Sequence, residues 1–118
     1  MNARIGIKNS EGFFSELEKA WTDIDAGRPA PEPVSRIYFE SAEALSRVLT
    51  RQRHQLLCVL HANGGLSIRA LAAILQRDYK NVHQDVKILE ESGLIERDSN
   101  NHIVAPHQSL TIELPLAA

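Results

Sequence analysis

Much of what would mark an enzyme or an exported protein is missing from this chain of 118 residues. One cysteine, Cys58, cannot form an internal disulfide, so nothing points to an oxidising compartment. No apolar run approaches the length needed to cross a bilayer. Met1-Asn2-Ala3-Arg4-Ile5-Gly6 lacks the apolar core of a secretion signal, and the expectation is a cytoplasmic protein with no membrane partner. No glycine-rich phosphate loop, nucleophile motif or suggestive pair of carboxylates occurs, which argues against an enzyme. Asp78 reads as a helix cap, Asp85 as a surface charge and His107 as an isolated, exposed histidine. Aromatic residues are scarce at 5%, and the ordinary 43% of hydrophobic residues suits a helix-leaning globular domain. The length fits one domain with a modest extension.

The net charge of −2 conceals a division along the chain. Residues 1–40 carry five Lys/Arg against seven Asp/Glu, and residues 90–118 one against five. Between them, residues 41–89 carry seven cations (Arg47, Arg51, Arg53, Arg69, Arg77, Lys80, Lys87) against Glu43, Asp78 and Asp85, a local balance of +4. The field at a binding face follows local charge, so an acidic chain can still present a phosphate-binding surface.

Hydropathy patterning divides the chain at its prolines. Residues 3–8 alternate as a short strand, and residues 11–26 carry Phe13, Phe14, Leu17, Ala20, Trp21 and Ile24 at helical spacing. Gly27 and then Pro29, Pro31 and Pro33 interrupt the chain. This separates an N-terminal strand–helix arm with its linker, 1–33, from a second unit, 34–118. In the second unit Arg36-Ile37-Tyr38-Phe39 is an extended segment, and Ser41 caps a helical run in which Thr50 caps again, dividing it before a helix over 51–62. Asn63-Gly64-Gly65 ends that helix. Ser67 caps a short helix over 68–76, Arg77-Asp78 makes a tight turn, and a helix over 79–92 stops at Gly93. Residues 94–97 and 102–104 read as a β-hairpin about Asp98-Ser99-Asn100-Asn101, and 110–114 alternate as a last strand.

Helix, turn, helix and hairpin in this order predict an α+β domain, mainly helical with little strand, of the winged helix-turn-helix kind, whose second helix enters the DNA major groove. On that helix Val82, Val86 and Leu89 form the inner stripe, and Lys80, Asn81, Gln84 and Lys87 share the opposite face. Asn and Gln side chains can bond adenine bidentately, and Lys donates to guanine or phosphate. Lys80, Asn81 and Gln84, nearest the helix start, are the base-contact candidates. Tyr79, His83, Arg69 and Arg77 are placed to meet sugar or phosphate, and Arg97 and His102 could lie along the backbone from the hairpin. The competing reading is a winged helix used for protein contacts, with the same polar residues merely solvated.

The stretch Gln76-Arg77-Asp78-Tyr79-Lys80-Asn81-Val82-His83-Gln84-Asp85-Val86-Lys87-Ile88-Leu89-Glu90, with Ser92-Gly93-Leu94-Ile95-Glu96-Arg97 after it, resembles prokaryotic predicted MarR-like transcriptional regulators. The resemblance extends over nearly the whole chain, and Asp78-Tyr79-Lys80-Asn81-Val82-His83 is its most specific part. It implies a small repressor of transcription that binds double-stranded DNA. For some members it implies an antitoxin that regulates its own operon and has a toxin protein as partner. Such regulators often carry a basic residue where this chain has Gln84. They also tend to have a proline near Arg51, without which the helices on either side are free to fuse.

His54, Cys58 and His61 fall on one face of the helix over 51–62. Imidazole and thiolate suit zinc or copper, but one straight helix rarely places three ligands around one ion, so neither a metal nor any other cofactor is expected. The apolar stripe of the arm needs a partner. Two-fold operators favour a homodimer, built from the arm, the Ile37–Phe39 strand and the C-terminal strand.

Overall fold

The computed structural model of the protein describes residues 2–7 and 35–116. The expected helix over 11–26, with Phe13, Phe14, Leu17, Trp21 and Ile24, lies outside the described residues, as does the proline linker before residue 34.

Four helices are formed among the described residues, three of them started by a hydroxyl that accepts an otherwise unbonded backbone N–H. Ser41 Oγ accepts from Ala44 N at 3.1 Å to begin α1, Ala42–Val48. Thr50 Oγ1 accepts from Arg53 N at 3.3 Å to begin α2, Arg51–Asn63, so α1 and α2 remain separate without a proline between them. Ser67 Oγ accepts from Ala70 N at 3.1 Å to begin α3, Ile68–Leu75. Asp78 holds the extended backbone of an N-cap residue before α4, Tyr79–Glu91, but its side chain makes no capping bond. The expected cap is therefore positional only, leaving the charge of Asp78 to act on the first turn.

The connection between α3 and α4 is longer by one residue than the expected two. Gln76, read as the last residue of its helix, is left-handed at φ 54°. Its N–H donates to Ala73 O at 3.2 Å, and Arg77 N–H donates to Ala72 O at 3.1 Å, a paired closure of the Schellman type. At the far end of α4, Gly93 takes φ 85°, where a side chain would be strained, and Leu94 N–H donates back to Leu89 O at 2.9 Å.

Two separate sheets flank the helices. β1, Asn2–Ile7, is the middle of a parallel three-stranded sheet in the order β2-β1-β5, where β2 is Ser35–Phe39 and β5 is Ser109–Glu113. Ile5 is in register with Ile37 on one side and Ile112 on the other. Parallel neighbours need a long crossover, and residues 8–34 supply enough chain for one. The strand of the N-terminal arm is thus hydrogen-bonded on both sides to strands of the second unit. The short hairpin pairs β3, Glu96–Arg97, with β4, Ile103–Val104, and an isolated bridge ties Leu66 to Ile103. Asp98 Oδ1 closes its turn by accepting from Asn100 N and His102 N at 2.9 and 3.0 Å. A Cβ on Gly65 would come within 2.6 Å of Asp98 Oδ2, so a larger residue there would displace the side chain that closes the hairpin turn.

The aliphatic stripes meet in one core. Leu56 and Leu60 of α2, Leu71 of α3, Val82, Val86 and Leu89 of α4, and Leu94, Ile95 and Ile103 around the hairpin are all buried. Ile5 joins the same cluster from β1, and Ile37 and Leu110 pack against it from the neighbouring strands. The result is a small α+β domain. Among the described residues no helix is long and apolar enough to cross a membrane.

Candidate nucleic-acid interface

Burial of Val82, Val86 and Leu89 fixes which side of α4 turns to solvent. At the helical repeat, Lys80, Asn81, His83, Gln84 and Lys87 must then face outward, and all five are exposed. Neither Lys80 nor Lys87 forms an ion pair with another described residue, so both charges are available to an anion. At the start of the helix Tyr79 is 43% exposed. The Arg69 guanidinium lies 5.2 Å from its ring centroid, and the His83 ring is 5.9 Å away at 43°. These three side chains form a stack that links α3 to the first turn of α4.

Arg77 has a different position from the other expected contacts. Its Nη2 donates to Asp85 Oδ2 at 2.8 Å, and the side chain is 24% exposed. Arg53 Nε donates to Asp85 Oδ1 at 3.1 Å. Arg53 Nη1 also donates to the carbonyls of Arg47 and Val48 at 2.7 and 3.0 Å, satisfying the open end of α1. Asp85, expected as a surface charge, is 13% exposed and joins two cations. It is a clamp holding α1, α2 and the α3–α4 turn to α4. Composition and spacing did not reveal it, because Arg53 and Asp85 lie far apart in sequence.

The hairpin residues are held less tightly. Arg97 Nε donates to Glu90 Oε2 at 2.9 Å and Nη2 to Oε1 at 3.4 Å, with a further contact to Asn101 O. Arg97 is therefore paired with α4 in the free chain, and reaching a phosphate would require exchange of that partner. His102 is exposed, and its backbone N–H is committed to the Asp98 turn.

A second region lies under β5. A cavity of about 250 Å³ is lined by Leu57 and Leu94 at its apolar side, and by His54, Cys58, His61 and His107. His61 Nδ1–H donates to Ala105 O at 2.7 Å, and Cys58 Sγ is 3.5 Å from His54 Nε2. His107, expected to be exposed, is 92% buried because the chain leading into β5 folds back over α2, and its Nδ1 has no described partner. Among the described residues, no three His, Cys, Asp or Glu side chains come together as metal ligands.

The model of the HVO_A0114 family matches residues 48–112, more than half of the chain. The chain belongs to that family. The matched segment runs from the end of α1 into β5 and contains every residue named above on the α4 face, in the stack, in the hairpin and in the clamp except Arg47. The HVO_A0114 match leaves out β1 and β2, the strands that complete the parallel sheet. No curated protein and no solved structure matches the chain.

Proposed function

We propose that this protein is a sequence-specific, double-stranded DNA-binding regulator of transcription. It acts as a dimeric repressor built on a MarR-like winged helix-turn-helix, with α3 and α4 as the helix-turn-helix and β3–β4 as the wing. The observation that carries this reading is the division of α4. Lys80, Asn81, Gln84 and Lys87 are exposed on one side, the two lysines without an ion pair to another described residue, while Asp85 on the other is neutralised by Arg53 and Arg77. The clamp neutralises Asp85 and ties α4 to α2 and to the turn before α4.

In this reading Lys80, Asn81 and Gln84 reach base edges, and Lys87 meets the backbone. The Arg69–Tyr79–His83 stack lies beside the phosphates at the start of the helix, and His102 and a released Arg97 extend the contact from the wing.

Selection of bound fragments from the source genome, followed by titration at several salt concentrations, tests the proposal. A DNA binder of this type loses affinity linearly in log–log form as salt rises, with a slope set by the number of phosphates contacted. Enrichment of no sequence, together with an affinity insensitive to salt, would overturn it.

A further inference from the structure

Among the described residues, His107 is the most deeply buried polar side chain, and the nucleic-acid reading has no use for it. Its ring borders the 250 Å³ cavity between α2 and β5. Neither ring nitrogen bonds to a described residue, and of the two only Nδ1 is sealed from solvent. Nε2 is therefore the nitrogen within reach of a ligand. A buried N–H without an acceptor is rarer and costlier than a bare lone pair, so the proton belongs on Nε2. His61, in the same wall, is set the other way. Its Nδ1–H donates to Ala105 O at 2.7 Å, which leaves Nε2 of the neutral ring as an acceptor. Most of the remaining wall is apolar, with Leu57 and Leu94 on the helical side and Leu110 and Ile112 on β5. No described Lys, Arg, Asp or Glu lines it, so an ionised ligand would meet no counter-charge there.

We propose that this cavity binds a small neutral molecule, a single ring carrying a hydroxyl. Size sets the ring. An apolar cavity of about 150 Å³ takes benzene, and this one has room for a few atoms more. Polarity sets the hydroxyl, which both accepts and donates. It suits either imidazole, accepting from His107 Nε2–H or donating to His61 Nε2. His107 is the anchor of the two, because it is 92% buried while His61 is exposed, and a bond to it competes less with water. The absence of a lining charge sets the neutrality. The site adjoins α4 through Leu94, which lines the cavity and whose N–H donates back to Leu89 O at the end of that helix. Ligand binding here does not depend on the DNA reading, and the test uses the protein alone.

Nuclear magnetic resonance titration of the full chain at about pH 8, where histidines are neutral and phenols still protonated, separates these features. The probes are para-ethylphenol, ethylbenzene and para-ethylbenzoate, which share a body and differ in the head group. Para-ethylphenol is expected to saturate, to shift the methyl signals of Leu57 and Ile112, and to bind about five-fold more tightly than ethylbenzene, the usual net worth of one hydrogen bond. Ionised para-ethylbenzoate is expected to show no saturable binding. His107→Leu is expected to bring para-ethylphenol and ethylbenzene to equal affinity. Ile112→Trp, at an exposed position, fills the space from β5 and is expected to abolish binding of both. It serves if His107→Leu loses its helical circular dichroism. Overturning results are no saturable binding of para-ethylphenol, equal affinity for ethylbenzene in the parent, or tighter binding of para-ethylbenzoate. A hydroxyl preference that survives His107→Leu, or binding that survives Ile112→Trp, does the same. A chain that binds para-ethylphenol as stated and no DNA keeps this site and loses the regulatory reading. A chain that binds DNA with steep salt dependence but none of the three probes does the reverse.

Discussion

Arg77 Nη2 stands 2.8 Å from Asp85 Oδ2, which ties the turn before α4 to the second turn of that helix. The other oxygen of Asp85 receives Arg53 from α2, so one carboxylate anchors the base of α4 from two directions. All three side chains are mostly buried, and such groups are costly to leave unpaired.

Asp85→Asn should therefore destabilise the protein by about 2–3 kcal/mol, somewhat below the usual range for a fully buried pair because Arg77 keeps part of its exposure. Urea denaturation followed by circular dichroism measures this directly. A loss under about 0.5 kcal/mol would show that the clamp is not holding the helix.

The charges of Lys80 and Arg77 should separate cleanly in salt titrations of DNA binding. Lys80→Ala and Lys87→Ala are each expected to reduce the salt slope by about 1, because each removes one phosphate or groove cation. Arg77→Gln is expected to leave the slope nearly unchanged while lowering the unfolding midpoint, its charge being already matched by Asp85. Equal slopes for all three variants would contradict the assignment of the α4 face.

Asn81→Ala and Gln84→Ala should act on sequence preference rather than on overall affinity. Each is expected to relax discrimination at the base pair it meets by about 1–3 kcal/mol, with non-specific binding retained. Competition between cognate and single-mismatch duplexes reads this out, and unchanged discrimination in both variants would remove them from the base-contact set.

The two helix starts predict unequal costs. Ser67→Ala should cost about 1 kcal/mol, because Ser67 Oγ accepts a real capping bond. Asp78→Ala should cost only about 0.3 kcal/mol, the contribution of a charge near a helix N-terminus without a bond. Thermal melts of the two variants under the same conditions decide it, and equal losses would show that Asp78 caps in solution.

His107→Leu is expected to stabilise the protein by about 1 kcal/mol, since Nδ1 is buried with no described partner and an apolar side chain carries no such penalty. A lowered unfolding midpoint would mean that this nitrogen is bonded in solution.

The helices were legible because their signals are local. Ser41, Thr50 and Ser67 sit immediately before apolar stripes of helical period, and each makes the bond its position predicts. The α4 face was legible for the same reason, since burial of Val82, Val86 and Leu89 follows from spacing alone. What escaped was long-range. The three short strands were each visible, but their joining into one parallel sheet depends on contacts between residues 2 and 109 and between residues 3 and 35. The burial of His107 and the pairing of Asp85 with Arg53 are of the same kind, decided by where distant segments come to rest. The left-handed Gln76 escaped for another reason, as glutamine carries no preference for that conformation.

The central position of β1 has a consequence for how the molecule assembles. β1 is made before both of its neighbours, and one of them, β5, follows more than a hundred residues later. The helical segment between them can form early from local contacts, whereas the sheet must wait for the chain to close on itself. During synthesis Ala3 and Ile5 remain uncovered on that side until Leu110 and Ile112 arrive, an interval in which a nascent chain is most open to mispairing.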